Sequence, residues 1–130
     1  ASHRFPAGVD SYNDILQICQ RCRDFANGQE MFRIMQERGV KGDIVTYNTI
    51  LDVCKATRDY DMSMRLFEEM KAEGVKPNSF TYTTVINTCI TRDRVFHWRD
   101  ALRIFSEMQL TGTYHAESDF VALDGVLKVC

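Results

Sequence analysis

Val45-Thr46-Tyr47-Asn48-Thr49-Ile50-Leu51 is followed by Cys54, and the same order of residue types returns 35 positions later as Phe80-Thr81-Tyr82-Thr83-Thr84-Val85-Ile86 followed by Cys89. A third copy stands 35 positions earlier, at Tyr12, Ile15, Leu16 and Cys19. In every copy the apolar residues fall at i, i+3, i+4 and i+7, the stripe that a helix of 3.6 residues per turn lays along one face. These three stripes are A helices. Asp10 and Ser11, Asp43, and Asn78 and Ser79 stand just ahead of them as N-capping residues.

A second pattern follows each stripe. Phe32, Met35 and Gly39 recur as Phe67, Met70 and Gly74, and again as Phe105, Met108 and Gly112. Phe and Met three apart share a helix face, and a glycine four residues on closes the helix in the left-handed conformation. These are B helices. Four residues before each phenylalanine stands a small residue, Gly28, Ser63 or Ala101, which permits close approach to the A partner. The third unit is longer by three residues, Cys89 to Phe105 against Cys54 to Phe67, and the excess near Arg94 to Trp98 lengthens the turn between helices. Beyond Gly112, residues Phe120, Leu123, Val126, Leu127 and Cys130 form one more stripe, a fourth A helix without its B partner. A two-helix unit at this period predicts an all-α stack of antiparallel hairpins in one solenoid, with repeats at about 9–43, 44–78 and 79–116 and a partial repeat or cap at 117–130.

Composition narrows the function classes. The 130 residues carry 45% hydrophobic and 26% charged side chains, which suits a folded globular protein and not a disordered or fibrous one. The net charge of -2 lacks the overall positive balance of a protein that holds nucleic acid mainly through phosphates, so any such charge is local. No apolar run approaches the ~18 residues of a membrane-spanning helix, and no signal or transit peptide is visible. The start at Ala1 suggests a processed form or a piece of something longer. Five cysteines, three of them 35 residues apart, point to a repeated packing position and not to a disulfide framework.

Between Ile44 and Asn78, the segments Val45 to Leu51, Cys54-Lys55-Ala56, Leu66-Phe67-Glu68-Glu69-Met70 and Gly74-Val75-Lys76-Pro77-Asn78 together resemble a pentatricopeptide repeat. Phe80 to Met108 repeats much of the pattern, and Tyr12 to Asp43 somewhat less. The tetratricopeptide repeat, of 34 residues, opens on a Trp-x-x-Leu-Gly-x-x-Tyr pattern that is absent here, since Trp98 sits ahead of a B helix. The resemblance implies a right-handed α-solenoid that binds single-stranded RNA, one repeat facing one base, in a mitochondrion or plastid. It assigns base selection to the fifth and last residues of each repeat. With repeats opening at Val9, Ile44 and Ser79, the fifth residues are Asn13, Asn48 and Thr83 and the last are Asp43, Asn78 and Ala116. Asn13 with Asp43 implies uracil, and Asn48 with Asn78 a pyrimidine. The apolar second position, which sandwiches the base, reads Asp10, Val45 and Phe80, so Asp10 departs from the family pattern; Val121 in the partial unit implies no readout.

Several of these residues admit a structural reading as well. Asp43 and Asn78 stand where an N-cap is wanted whether or not RNA binds. Lys55, Arg58, Arg92 and Arg94 gather near the ends of A helices, where they could meet phosphates or the helix dipole. Cys19 and Cys22 form a Cys-x-x-Cys pair with no second pair, so no metal is expected. His115-Ala116-Glu117 matches the His-x-Glu of zinc deaminases but lacks the downstream Pro-Cys-x-x-Cys. No enzyme activity and no cofactor are expected. Two functions then remain: an RNA-binding module for transcript processing, stability, editing or translation, or a scaffold that holds protein subunits of a large organellar complex. Only the first predicts a contiguous basic groove along the A helices, against which stand Asp10, Asp14 and Asp52.

Overall fold

Six α-helices follow one another through the described residues, 8–90 and 95–111, of a computed structural model: α1 (Val9–Arg21), α2 (Phe25–Glu37), α3 (Ile44–Thr57), α4 (Tyr60–Ala72), α5 (Ser79–Thr88) and α6 (Trp98–Leu110). They alternate as A and B helices. Each A helix packs on its B partner and on the next A helix, α1 on α2 and α3, α3 on α4 and α5, and α5 on α6. The architecture is an all-α helical solenoid. No strand occurs among the described residues, only an isolated antiparallel bridge between Ile90 and Phe96.

The stripes read from the sequence build one continuous core. Leu16, Met35, Ile50, Leu51, Cys54, Phe67, Met70, Val85, Ile86, Cys89, Ile104 and Met108 are buried together. The first two B-helix phenylalanines meet the tyrosine of the next A helix edge to face, Phe32 with Tyr47 at 6.0 Å and Phe67 with Tyr82 at 5.8 Å between ring centroids. The small residues act as expected. A Cβ on Gly28 would lie 3.5 Å from Cys19 Cβ, and the Ser63 hydroxyl accepts a hydrogen bond from Thr88 at 2.6 Å. Gly39 and Gly74 take φ of 74° and 81°. Behind them Val40 N–H reaches Met35 carbonyl at 3.1 Å and Val75 N–H reaches Met70 carbonyl at 2.8 Å, the paired bonds of a Schellman close.

Three expectations need correction. Helix α1 starts at Val9 with Gly8 as a cap that offers no side chain, so Asp10 and Ser11 lie inside its first turn; Ser79 likewise is the first residue of α5, not its cap. The first stripe is only half buried, because Ile15 is 41% exposed where its counterparts Ile50 and Val85 are sealed by the preceding A helix. Helix α5 ends at Thr88, four residues before the point corresponding to Thr57 in α3, and His97 N–H donates to Cys89 carbonyl instead. Arg92 and Arg94 are the phosphate candidates that the sequence places near the end of the third A helix. Both lie outside the described residues, as do Gly112, Ala116, Val121, the His115–Glu117 match and the stripe from Phe120 to Cys130.

Candidate nucleic-acid interface

A helix start leaves backbone N–H groups without partners, and the residue ahead of it supplies the first acceptor. Asp43 does this for α3: its Oδ1 accepts from Thr46 N–H at 3.1 Å, and Asp43 N–H donates to Thr46 Oγ1 at 3.1 Å. Asn78 repeats the box for α5, with Thr81 N–H at 3.0 Å and Asn78 N–H to Thr81 Oγ1 at 3.0 Å. So the last residues of the first and second repeats are the N-caps of the next A helices. The capping reading of Asp43 and Asn78 is thus correct, and it fixes where these side chains point.

The fifth residues join the same network. Asn13 Nδ2 donates to Asp43 Oδ1 at 3.0 Å, and Asn48 Nδ2 donates to Asn78 Oδ1 at 3.2 Å. Thr46 Oγ1 lies 2.5 Å from Asn13 Oδ1, and Thr81 Oγ1 lies 2.6 Å from Asn48 Oδ1. Fifth residue, last residue and the third residue of the following repeat thus close one triad at each of two junctions. Asn13 is buried in its triad. Thr83, the third fifth-position residue, bonds back to its own helix at the Ser79 and Phe80 carbonyls. Burial alone would raise the Asp43 carboxyl, but the bonds from Thr46 and Asn13 hold it below the ordinary 3.8.

The second-position residues stand free of the core, Val45 at 38% and Phe80 at 49% exposure. They flank an open slot of about 310 Å³ that Asn48 borders, with Gln17, Gln20, Arg21, Thr49 and Asp52 completing its walls. Asp10, the second-position residue of the first repeat, is exposed and anionic. The slot's cation is Arg21, which the sequence reading passed over, and its anion is Asp52, which accepts from the Gln20 amide and has Lys55 Nζ at 4.0 Å. Lys55 is exposed. Arg58 takes the left-handed conformation, φ 56°, as the C-cap of α3. It borders a separate hollow with Phe25, Gln29 and Asp59. The contiguous basic groove does not form among the described residues.

Cys54 and Cys89 are packing residues of the core. Burial pushes the Cys54 and Cys89 thiols up to about 12, so both stay protonated at neutral pH. Cys19 is raised too, by burial and then by Asp24 and Cys22. No group of three His, Cys, Asp or Glu able to hold a metal occurs among the described residues. Thr46 and Thr81 are the site residues that sequence reasoning missed. Their signal was the Thr-Tyr dipeptide repeated at 35 residues, with Ser11-Tyr12 in the first unit.

The model of the PPR repeat family matches residues 7–55 and 42–91. Among solved structures, the pentatricopeptide repeat protein PPR10 in complex with an 18-nt psaJ RNA element is 29% identical, superposes with a TM-score of 0.81, and is covered for 18% of its length by 95% of this chain. PPR10 from maize matches at 21% identity and a TM-score of 0.76, over 96% of this chain and 18% of that one, a likeness of fold alone. No curated protein matches the chain.

Proposed function

Since the chain belongs to the PPR repeat family, we propose that it is a single-stranded RNA-binding repeat module, organised as repeats 9–43, 44–78 and 79–116 and acting in transcript processing, stability or translation in a mitochondrion or plastid. One observation carries the reading: an open slot between two half-exposed apolar side chains, Val45 and Phe80, has an oriented amide, Asn48, on its border. A base inserted there stacks on the Phe80 ring and sets its polar edge against Asn48 and Asn78. Stacking on an aromatic side chain contributes about 1–3 kcal/mol per base.

The polar edge has a definite sense. An amide nitrogen carries two N–H groups, and Asn48 directs one at Asn78. The other donates to a base acceptor, and the Asn78 amide nitrogen adds further donors. Two donors side by side match the adjacent N3 and O2 acceptors of cytosine. At the preceding junction Asp43 supplies a carboxylate where Asn78 supplies an amide, so the donor–acceptor pair matches the N3–H and O4 of uracil. Asp10 beside that junction repels phosphate and weakens it. Lys55, Arg58, Arg92 and Arg94 remain the proposed phosphate contacts, with Arg21 added at the slot.

The affinity follows from the size. Two or three stacked bases, with a net charge of -2, give dissociation constants near or above about micromolar once strand ordering is counted. Fluorescence anisotropy with pyrimidine-rich and purine-rich single strands, at low and near-physiological salt, tests the reading. Salt-sensitive binding that prefers pyrimidines and is lost in Asn48→Ala supports it. No binding at low salt overturns it and leaves the protein-scaffold function in its place.

A further inference from the structure

We propose that Thr46 and Thr81 are positioning residues that set base selectivity, by locking the Asn13 and Asn48 amides each in one orientation, which at Asn48 turns N–H, and not C=O, toward the slot. The inference rests on the base-reading function above. An asparagine amide is nearly symmetric in shape, and its χ2 torsion is broad and roughly two-fold. A half-turn exchanges donor for acceptor and so reverses the base edge that is preferred. Without a second restraint the fifth residue could take both.

The restraint is built from backbone outward. The N–H of Thr81 at the start of α5 can only donate, and it fixes Asn78 Oδ1 as an acceptor at 3.0 Å. That acceptor then favours Nδ2 from Asn48, at 3.2 Å. The Thr81 hydroxyl already accepts from Asn78 N–H, so its single proton is left to donate. Asn48 Oδ1 lies at 2.6 Å and Asn78 Oδ1, which takes two N–H donors already, at 2.9 Å. The proton goes to Asn48 Oδ1. The same logic holds for Thr46, with Asn13 Oδ1 at 2.5 Å and Asp43 Oδ1 at 3.0 Å. Both threonines are fully buried. Thr46 is also seated from behind, since a Cβ on Gly42 would lie 3.1 Å from its methyl. The Thr83 hydroxyl turns to the Ser79 and Phe80 carbonyls of its own helix.

The test compares the full chain with Thr81→Val, which keeps shape and removes the hydroxyl, with Thr81→Ser, which restores it, and with Thr46→Val as an independent locus. Each is measured by anisotropy against oligonucleotides varied at single bases, and by the ¹⁵N-resolved side-chain amide signals of Asn48 and Asn13 in the free protein. In the free wild type and Thr81→Ser, the two Asn48 amide protons are unlike, the one bonded to Asn78 exchanging slowly with water and the one facing the slot fast. In Thr81→Val they exchange freely, and discrimination among bases falls about tenfold, the size of one well-made hydrogen bond, while the pyrimidine and purine strands still bind. A folded Thr81→Val that keeps both its protected amide and its base preference overturns the proposal and leaves base reading intact. A wild type without base preference overturns the base reading and the selective role of the threonines with it; the amide signals then still decide whether the lock exists. If Thr81→Val does not fold, the same outcomes are read from Thr46→Val at Asn13.

Discussion

The two described junctions between repeats share a backbone geometry and carry different charges at matching positions. At the first, the inner side carries a carboxylate, Asp43, while the outer ridge has a neutral donor, Gln36 to Glu69 at 2.8 Å, and beyond it an exposed ion pair, Lys41 to Glu73 at 2.9 Å. At the second, the inner side is neutral, Asn78, and the outer ridge carries an ion pair, Lys71 to Glu107 at 3.1 Å. Each outer glutamate also accepts from the tyrosine of its own hairpin, Tyr47 to Glu69 and Tyr82 to Glu107. The lesson is that stacking geometry needs only a donor and an acceptor in the right places. Their charge is left over to be used for recognition, on the inner side, or for stability, on the ridge.

Measurements on variants of each junction would break or sharpen that comparison. The largest effect should come from the packing that both share. Phe67→Ala removes the ring that meets Tyr82 and should cost about 3–5 kcal/mol in urea unfolding, enough to uncouple the third repeat; a loss under about 1 kcal/mol would mean that polar contacts hold the stack. Next, Asp43→Ala removes a cap and strands the buried Asn13 amide, and should cost about 2 kcal/mol, against about 1 kcal/mol for Asn78→Ala, whose partner Asn48 is better solvated. Equal losses would erase the difference between the junctions.

Acid separates them further. The folded Asp43 carboxyl sits below its ordinary 3.8, so its stabilising contribution is complete above that value and is lost as pH falls through the lowered one. Thermal melts from neutral pH to below 3.8 should therefore show a steeper fall for the wild type than for Asp43→Asn, while Asn78→Asp should acquire a similar dependence. The smallest effect belongs to the ridge. Lys71→Gln should cost less than about 1 kcal/mol and should reduce the salt dependence of stability, because the lysine and its partner Glu107 are both part-exposed.

Much of this fold was legible before any coordinates. The stripes at i, i+3, i+4 and i+7, the capping Asp43 and Asn78, and the closing Gly39 and Gly74 are local signals whose physics acts within a turn or two. The pair code was legible as residue types but not as contacts. Asn13 and Asp43 are 30 residues apart, and only the stacking of α1 on α3 brings them within 3.0 Å. The same stacking decides that Asn13 is buried, that Ile15 is not, and that Thr46 completes the triad. The early end of α5 was hidden too, because it depends on the pairing of Ile90 with Phe96 and the stacking of His97 on Tyr60, 3.8 Å between ring centroids, across a repeat boundary.

The sequence by itself determined the helices, their period and their caps, because hydrophobic spacing and helix-end hydrogen bonds are properties of neighbouring residues. Tertiary structure alone decided which face of each amide is spent on the protein and which is left for a ligand. That choice is made by hydrogen bonds between side chains 30 and 33 residues apart, which only the stacking of successive A helices brings together.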